Sequence, residues 1–123
     1  RIACGGEGCV VVWEEDKTGA FAAFVEVAKA EKLWHRAFAV RGAAPAATSA
    51  GESTMISWFE QGRVKLARIR RDGIGEESVL ARVNGYQPPP AIAASPVAGE
   101  WYVGWRDYEA GHLEAFVVRA RCD

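Results

Sequence analysis

An all-β chain of about three four-stranded antiparallel units is what this sequence predicts, and three observations predict it. The first is a short apolar run closing on tryptophan, then one free position, then an acid. It occurs as Cys9-Val10-Val11-Val12-Trp13-Glu14-Glu15, as Thr54-Met55-Ile56-Ser57-Trp58-Phe59-Glu60, and as Glu100-Trp101-Tyr102-Val103-Gly104-Trp105-Arg106-Asp107. The second is the spacing of those tryptophans, 45 and 47 residues, inside the window of roughly 40–50 residues that marks propeller blades. The third is period-two alternation between glycine turns, clearest at Phe21, Ala23, Val25 and Val27. A small sheet with two apolar faces cannot bury both alone, so the units are expected to stack as blades of a β-propeller. A β-sandwich also uses short alternating strands and is the alternative. It would not require tryptophan, acid and glycine to return in register.

The units are expected at about 1–42, 43–85 and 86–123, within a single repeat domain spanning 1–123. In the first, a strand from Arg1 to Cys4 meets a glycine turn, and the first tryptophan strand follows to Glu15. Asp16-Lys17-Thr18-Gly19 is the next turn, and Ala20 to Val27 the third strand. The stretch from Ala28 to Leu33 has helix propensity. Yet Gly19 to Val40 and Gly62 to Val83 are both 21 residues, and on that register Lys29-Ala30 falls opposite the turn pair Asp72-Gly73. A connection and a fourth strand, Leu33 to Val40, are expected instead.

The second unit reads as an Ala-rich strand around Pro45-Ala46-Ala47-Thr48-Ser49, then Ser53 to Glu60, Gly62 to Ile69 and Ser78 to Val83. The third has its small-residue strand after Pro90, then Glu100 to Asp107 and Gly111 to Arg121, and is expected to lack its last strand. Gly19-Ala20-Phe21-Ala22-Ala23-Phe24-Val25 and Gly111-His112-Leu113-Glu114-Ala115-Phe116-Val117 read as copies of one another. Pro88-Pro89-Pro90 is a stiff connection that cannot sit inside a sheet.

Composition bounds the rest. The length suits one domain, and 50% hydrophobic with 25% charged residues is ordinary for a globular chain. A net charge of −1, with both signs mixed, leaves no nucleic-acid footprint. Arg63, Arg68, Arg70 and Arg71 form the only basic cluster, expected as the solvated end of a strand because Glu76 and Glu77 follow. No apolar run approaches the ~18 residues of a membrane span. The chain opens on Arg1 without a leader and reads as a mature or excised piece. Its three cysteines are an odd count. Cys4 and Cys9 bracket a glycine-rich turn and are disulfide candidates in an exported protein, leaving Cys122 over; three reduced small hydrophobes are the alternative. His35 and His112 lack ligand-like spacing to the cysteines, so no zinc is expected.

Pro-Ala-x-Ala, then glycine, then a strand ending Trp-x-Asp/Glu resembles the β-propeller repeats of large bacterial secreted and surface proteins, over essentially the whole chain. The resemblance implies blades radiating from an axis with the first strand innermost, an extracellular or cell-surface location, and no single activity. The chain departs from better-defined propellers. It lacks the Ser-x-Asp-x-Gly-x-x-Trp box of sialidase-like blades, the Gly-His and Trp-Asp pair of WD repeats and the repeated double glycine of kelch blades.

Candidate site residues follow from the same pattern. Trp13, Trp58 and Trp105 recur and are expected as packing between units. Trp34 and Trp101 do not recur and, with Tyr108, are the candidates for stacking a sugar ring, although Trp101 also fits a widened core. Glu15, Glu60 and Asp107 stand two residues after their tryptophans, on the same side of the strand. Lined up on one rim they could hold a cation; alternatively each closes its own turn by accepting backbone N–H groups. Asp107 with Glu109, or the run Glu14-Glu15-Asp16, could supply paired carboxylates, but the signal is weak and a solvated charge run is the better account. No Ser-His-Asp or Cys-His arrangement can be assembled, and Gly5-Gly6-Glu7-Gly8 opens onto a strand where a phosphate loop opens onto a helix.

The expected function is a non-catalytic binding or scaffold module without a cofactor, partnered by a second copy of itself or by the remaining blades of a larger chain. The competing expectations are a lectin-like carbohydrate binder and an excised part of a propeller hydrolase.

Overall fold

Alternation sets the strands of this chain, and short turns such as Gly51-Glu52 and Gln61-Gly62 join neighbours. A computed structural model describes residues 1–6, 8–15, 19–26, 33–34, 38–40, 42–70, 72–84, 90–109 and 111–121. Over these residues the chain is all-β, with three antiparallel sheets and no helix. The first sheet holds β1 (Ile2–Gly5), β2 (Gly8–Glu15) and β3 (Gly19–Glu26), with β4 (Leu33–Trp34) and β5 (Phe38–Val40) both on the far edge of β3. The expected fourth strand is thus present in two pieces. Trp34 stands opposite Val25 and Phe38 opposite Ala22, so the register shifts by one residue between them. Residues 27–32, where helix propensity and turn register compete, lie outside the described residues.

The second sheet is a plain meander of β6 (Ala43–Ala50), β7 (Ser53–Glu60), β8 (Arg63–Arg70) and β9 (Gly73–Arg82). Its β7–β8 turn is Gln61-Gly62, with φ of 48° and 70°. Positive φ at both central residues matches the turn to the right-handed twist of the strands. The third sheet has β10 (Ala91–Ala94), β11 (Glu100–Glu109) and β12 (His112–Arg121), and β12 has no further strand beside it among the described residues.

One reading of the sequence needs correction here. Gly19 pairs with Glu15, two residues beyond Trp13. The position two beyond Trp105 is Asp107, and it pairs with Glu114 rather than with Gly111. The third hairpin is longer at its tip, so the two glycine-led copies sit three residues out of structural register.

Three sheets stack, where a sandwich would have two. Ile56, Trp58, Ala67 and Ile69 leave the middle sheet on one side and share a buried layer with Val10, Val12, Ala20, Ala22 and Phe24 of the first sheet. Met55, Val64 and Leu66 leave on the other side and meet Trp101, Val103 and Trp105 of the third. A one-residue step along a strand reverses the face, so a nearly unbroken apolar run such as Met55-Ile56-Ser57-Trp58 serves both layers at once.

In both layers the later sheet offers its tryptophan face and the earlier sheet its opposite face. The first strands lie together, with β6 packed against β1 and β10. Their turns are linked as well, since the Gly6 N–H donates to the Gly51 carbonyl at 2.9 Å. Gly42, just before β6, approaches the neighbouring strand so closely that a Cβ there would overlap the carbonyl oxygen of Phe59.

Candidate functional site

The recurring tryptophans occupy equivalent strand positions with unequal surroundings. Trp58 is 1% exposed, between the first and second sheets. Trp105 is buried between the second and third and stacks on Phe116 at 6.0 Å. Trp13 points away from the second sheet, on the outer face of the first. It is half-buried there, stacked on Phe21 at 5.7 Å, with its indole N–H donated to Glu15 Oε1 at 3.1 Å.

The three acids after the tryptophans are engaged separately. Glu15 accepts that indole. Glu60 pairs with Lys65, whose ammonium also donates to Glu77 at 2.6 Å and lies 6.0 Å from the Trp58 ring centre. Asp107 Oδ1 accepts the backbone N–H groups of Tyr108 at 2.7 Å and Asn84 at 2.9 Å. Asp107 accepts backbone N–H groups as the simpler expectation had it, but from its neighbour in the strand and from Asn84 of the preceding unit, not from the tip of its own hairpin. Among the described residues no three His, Cys, Asp or Glu side chains gather into a metal-ligand group, so the structure does not bring the candidate cation ligands together.

The aromatic candidates do not form one platform either. Trp101 is 2% exposed in the layer facing the middle sheet, which corrects its reading as an open stacking surface. Tyr108 is 58% exposed and belongs to the opposite face of the same strand. Trp34 is placed by its backbone in the first sheet, opposite Val25, and its side chain lies outside what is described. The same holds for Glu109, and Asp16, His35 and Cys122 fall outside the described residues altogether. Cys4 and Cys9 stand directly opposite in the β1–β2 ladder and are joined by a disulfide, with Cα atoms 3.9 Å apart.

What sequence reasoning missed is a cleft. It opens between the second and third sheets beside the β8–β9 turn, with a volume of about 520 Å³, within the range of roughly 300–1,000 Å³ typical of small-ligand sites. Met55, Leu66 and Trp101 form its apolar floor. Arg68 and Arg70 reach it because they share the Met55–Leu66 face of the sheet by alternation. Arg121 closes the far side, and Asp72, Glu76, Ser53 and Ser78 complete the rim.

Neither Arg68 nor Arg70 makes an ion pair among the described residues, whereas Arg119 and Arg121 flank the buried Glu100 at 4.0 and 3.8 Å. The arginine cluster read as a solvated strand end is therefore divided: Arg63 lies at the opposite end of β8, and Arg68 and Arg70 line the cleft. The arrangement offers charge-assisted hydrogen bonds beside an apolar floor, which suits binding. No protein-family model, curated protein or solved structure matches the chain.

Proposed function

We propose that the three sheets are blades of a β-propeller, and that the chain is a non-catalytic binding or scaffold module. Its ring is completed by further blades, from a second copy or from the rest of a longer polypeptide. The observation that carries this reading is the stacking rule: each later sheet lays its tryptophan face on the opposite face of the sheet before it, with the first strands β1, β6 and β10 adjacent. A propeller uses at least four blades, and three sheets are present among the described residues. The rule extended outward leaves two faces without a neighbouring sheet among the described residues. One is the Trp13 face of the first sheet. The other is the outer face of the third, where Tyr102, Tyr108, Leu113 and Val117 are exposed together. An apolar face of that kind marks an assembly surface. The Cys4–Cys9 disulfide fits an oxidising compartment, in keeping with an extracellular or cell-surface location.

Light scattering at micromolar concentration tests the assembly. A mass of two chains or more is expected, or else aggregation that adding further blades relieves. Val117→Glu on the outer face weakens either form of association. A folded, soluble species with the mass of one chain overturns the proposal.

A further inference from the structure

The geometry points to the cleft between the second and third sheets as a binding site for an acidic sugar, a uronate unit either free or within a glycan. This rests on the binding-module reading and names its ligand class. It does not wait on ring closure, because both walls of the cleft belong to one chain. The argument begins from the mixture of groups on the rim.

Among the described lining residues Arg68, Arg70 and Arg121 are positive and Asp72 and Glu76 negative. Glu100 stands 3.8 Å from Arg121, so Arg68 and Arg70, which make no ion pair among the described residues, are the cations left to a ligand. A cleft for phosphate, sulfate or another polyanion would not carry two carboxylates beside its arginines, since each repels such a ligand. A neutral sugar would leave Arg68 and Arg70 without a counter-charge. A ligand with one carboxylate and several hydroxyls uses every group present. Planar guanidinium forks bind a carboxylate through paired N–H donors. Asp72 and Glu76 accept hydroxyl protons, and Ser53 and Ser78 donate or accept as the ring requires.

Met55, Leu66 and Trp101 lie beneath the charged rim and are only 1–2% exposed, so they close the bottom of the cleft while the rim makes the contacts. Arg68 is half-buried and Arg70 exposed, so the two present a cation at depth and a cation at the mouth. A carboxylate entering the cleft meets the first where water is scarcer and the hydrogen bond correspondingly stronger.

Calorimetric titration of the full chain with D-galacturonate and trigalacturonate tests the site, with galactose and inorganic phosphate as comparisons. Both uronates are expected to bind, the trimer more tightly, with galactose and phosphate weaker. Arg68→Gln and Arg70→Gln each loosen the trimer by about tenfold, the size expected for one charge-assisted hydrogen bond. Arg121→Gln loosens it less, because that guanidinium is shared with Glu100. Arg82→Gln, exposed on β9 at the other end of the sheet, leaves binding unchanged.

Near-UV circular dichroism confirms that each variant is folded, and Arg121→Gln, an exposed change, keeps a folded test available. The site is overturned if millimolar uronate does not bind, if galactose or phosphate binds as tightly, or if none of the three arginine changes weakens binding. Solution mass is read on the same samples. Lost uronate binding with association intact removes this site alone, and lost association with binding intact removes the ring alone.

Discussion

Asp107 accepts the backbone N–H of Asn84 on its Oδ1 atom at 2.9 Å, and so ties the chain leaving the second sheet to the tryptophan strand of the third. The same oxygen accepts the N–H of Tyr108 at 2.7 Å, and the residue is 7% exposed. Asp107→Ala leaves two N–H groups unmatched and is expected to cost about 2–3 kcal/mol. Asp107→Asn keeps an acceptor in place and recovers part of that. Equal melting temperatures for the parent and the alanine variant would show that this contact does not hold the sheets together.

Trp58 fills the layer between the first two sheets, and its removal opens a cavity there. Trp58→Ala is expected to cost about 3–5 kcal/mol, a large share of the 5–15 kcal/mol that a domain usually has. Trp13→Ala, on the half-buried outer face, costs clearly less. Chemical denaturation of both variants checks the order. The reverse order would mean that the outer face is the better packed.

Lys65 is held between Glu60 and Glu77 and its pKa is raised above the ordinary 10.5, chiefly by the hydrogen bond to Glu60, then by that to Glu77, with burial opposing. The fold therefore favours the protonated amine. Its contribution is complete below the ordinary value and is lost as pH rises through the higher folded value. Urea midpoints in mildly to strongly alkaline buffer should fall more steeply for the parent than for Lys65→Met. Equal slopes would place the alkaline loss elsewhere.

The Cys4–Cys9 bridge closes a short loop. Chain-entropy reasoning gives about 2 kcal/mol for a loop of that size, so Cys4→Ser with Cys9→Ser should lower stability by that amount. Reduction of the parent should do the same. Melting curves with and without reductant measure it directly, and no change would show that the β1–β2 turn is held by its backbone alone.

Ser57 is fully buried in the middle sheet, and its hydroxyl finds no hydrogen-bond partner among the described residues. A buried hydroxyl of that kind stabilises nothing. Ser57→Ala is expected to match or exceed the parent in thermal stability. A drop of more than about 1 kcal/mol would reveal a partner for the hydroxyl.

Strands were legible wherever neighbours along the chain decide the outcome. Ser53–Glu60 was read to the residue, because alternation and the Gln61-Gly62 turn are both local, and the Cys4–Cys9 pair followed from the glycines between them. Trp101 was harder. Alternation gave its face, but whether that face is open or sealed depends on Met55 and Leu66, some forty residues earlier. The cleft was out of reach for the same reason, since Arg68 and Arg121 meet only when two sheets stack. Hairpin length in the third unit was misjudged because Gly111 marks a turn in the sequence without fixing how far the strands run before it.

The stacking rule has a direction, and direction limits how copies of this chain can meet. The Trp13 face and the Tyr102–Val117 face are unlike, so an association that continues the rule joins one chain's head to another's tail. A two-fold pairing of like surfaces would break it. Head-to-tail contacts end in a closed ring when the rotation per chain divides a full circle, and otherwise extend as an open helical filament. For copies that associated in this way, the choice between ring and filament would be set by the angle between successive sheets.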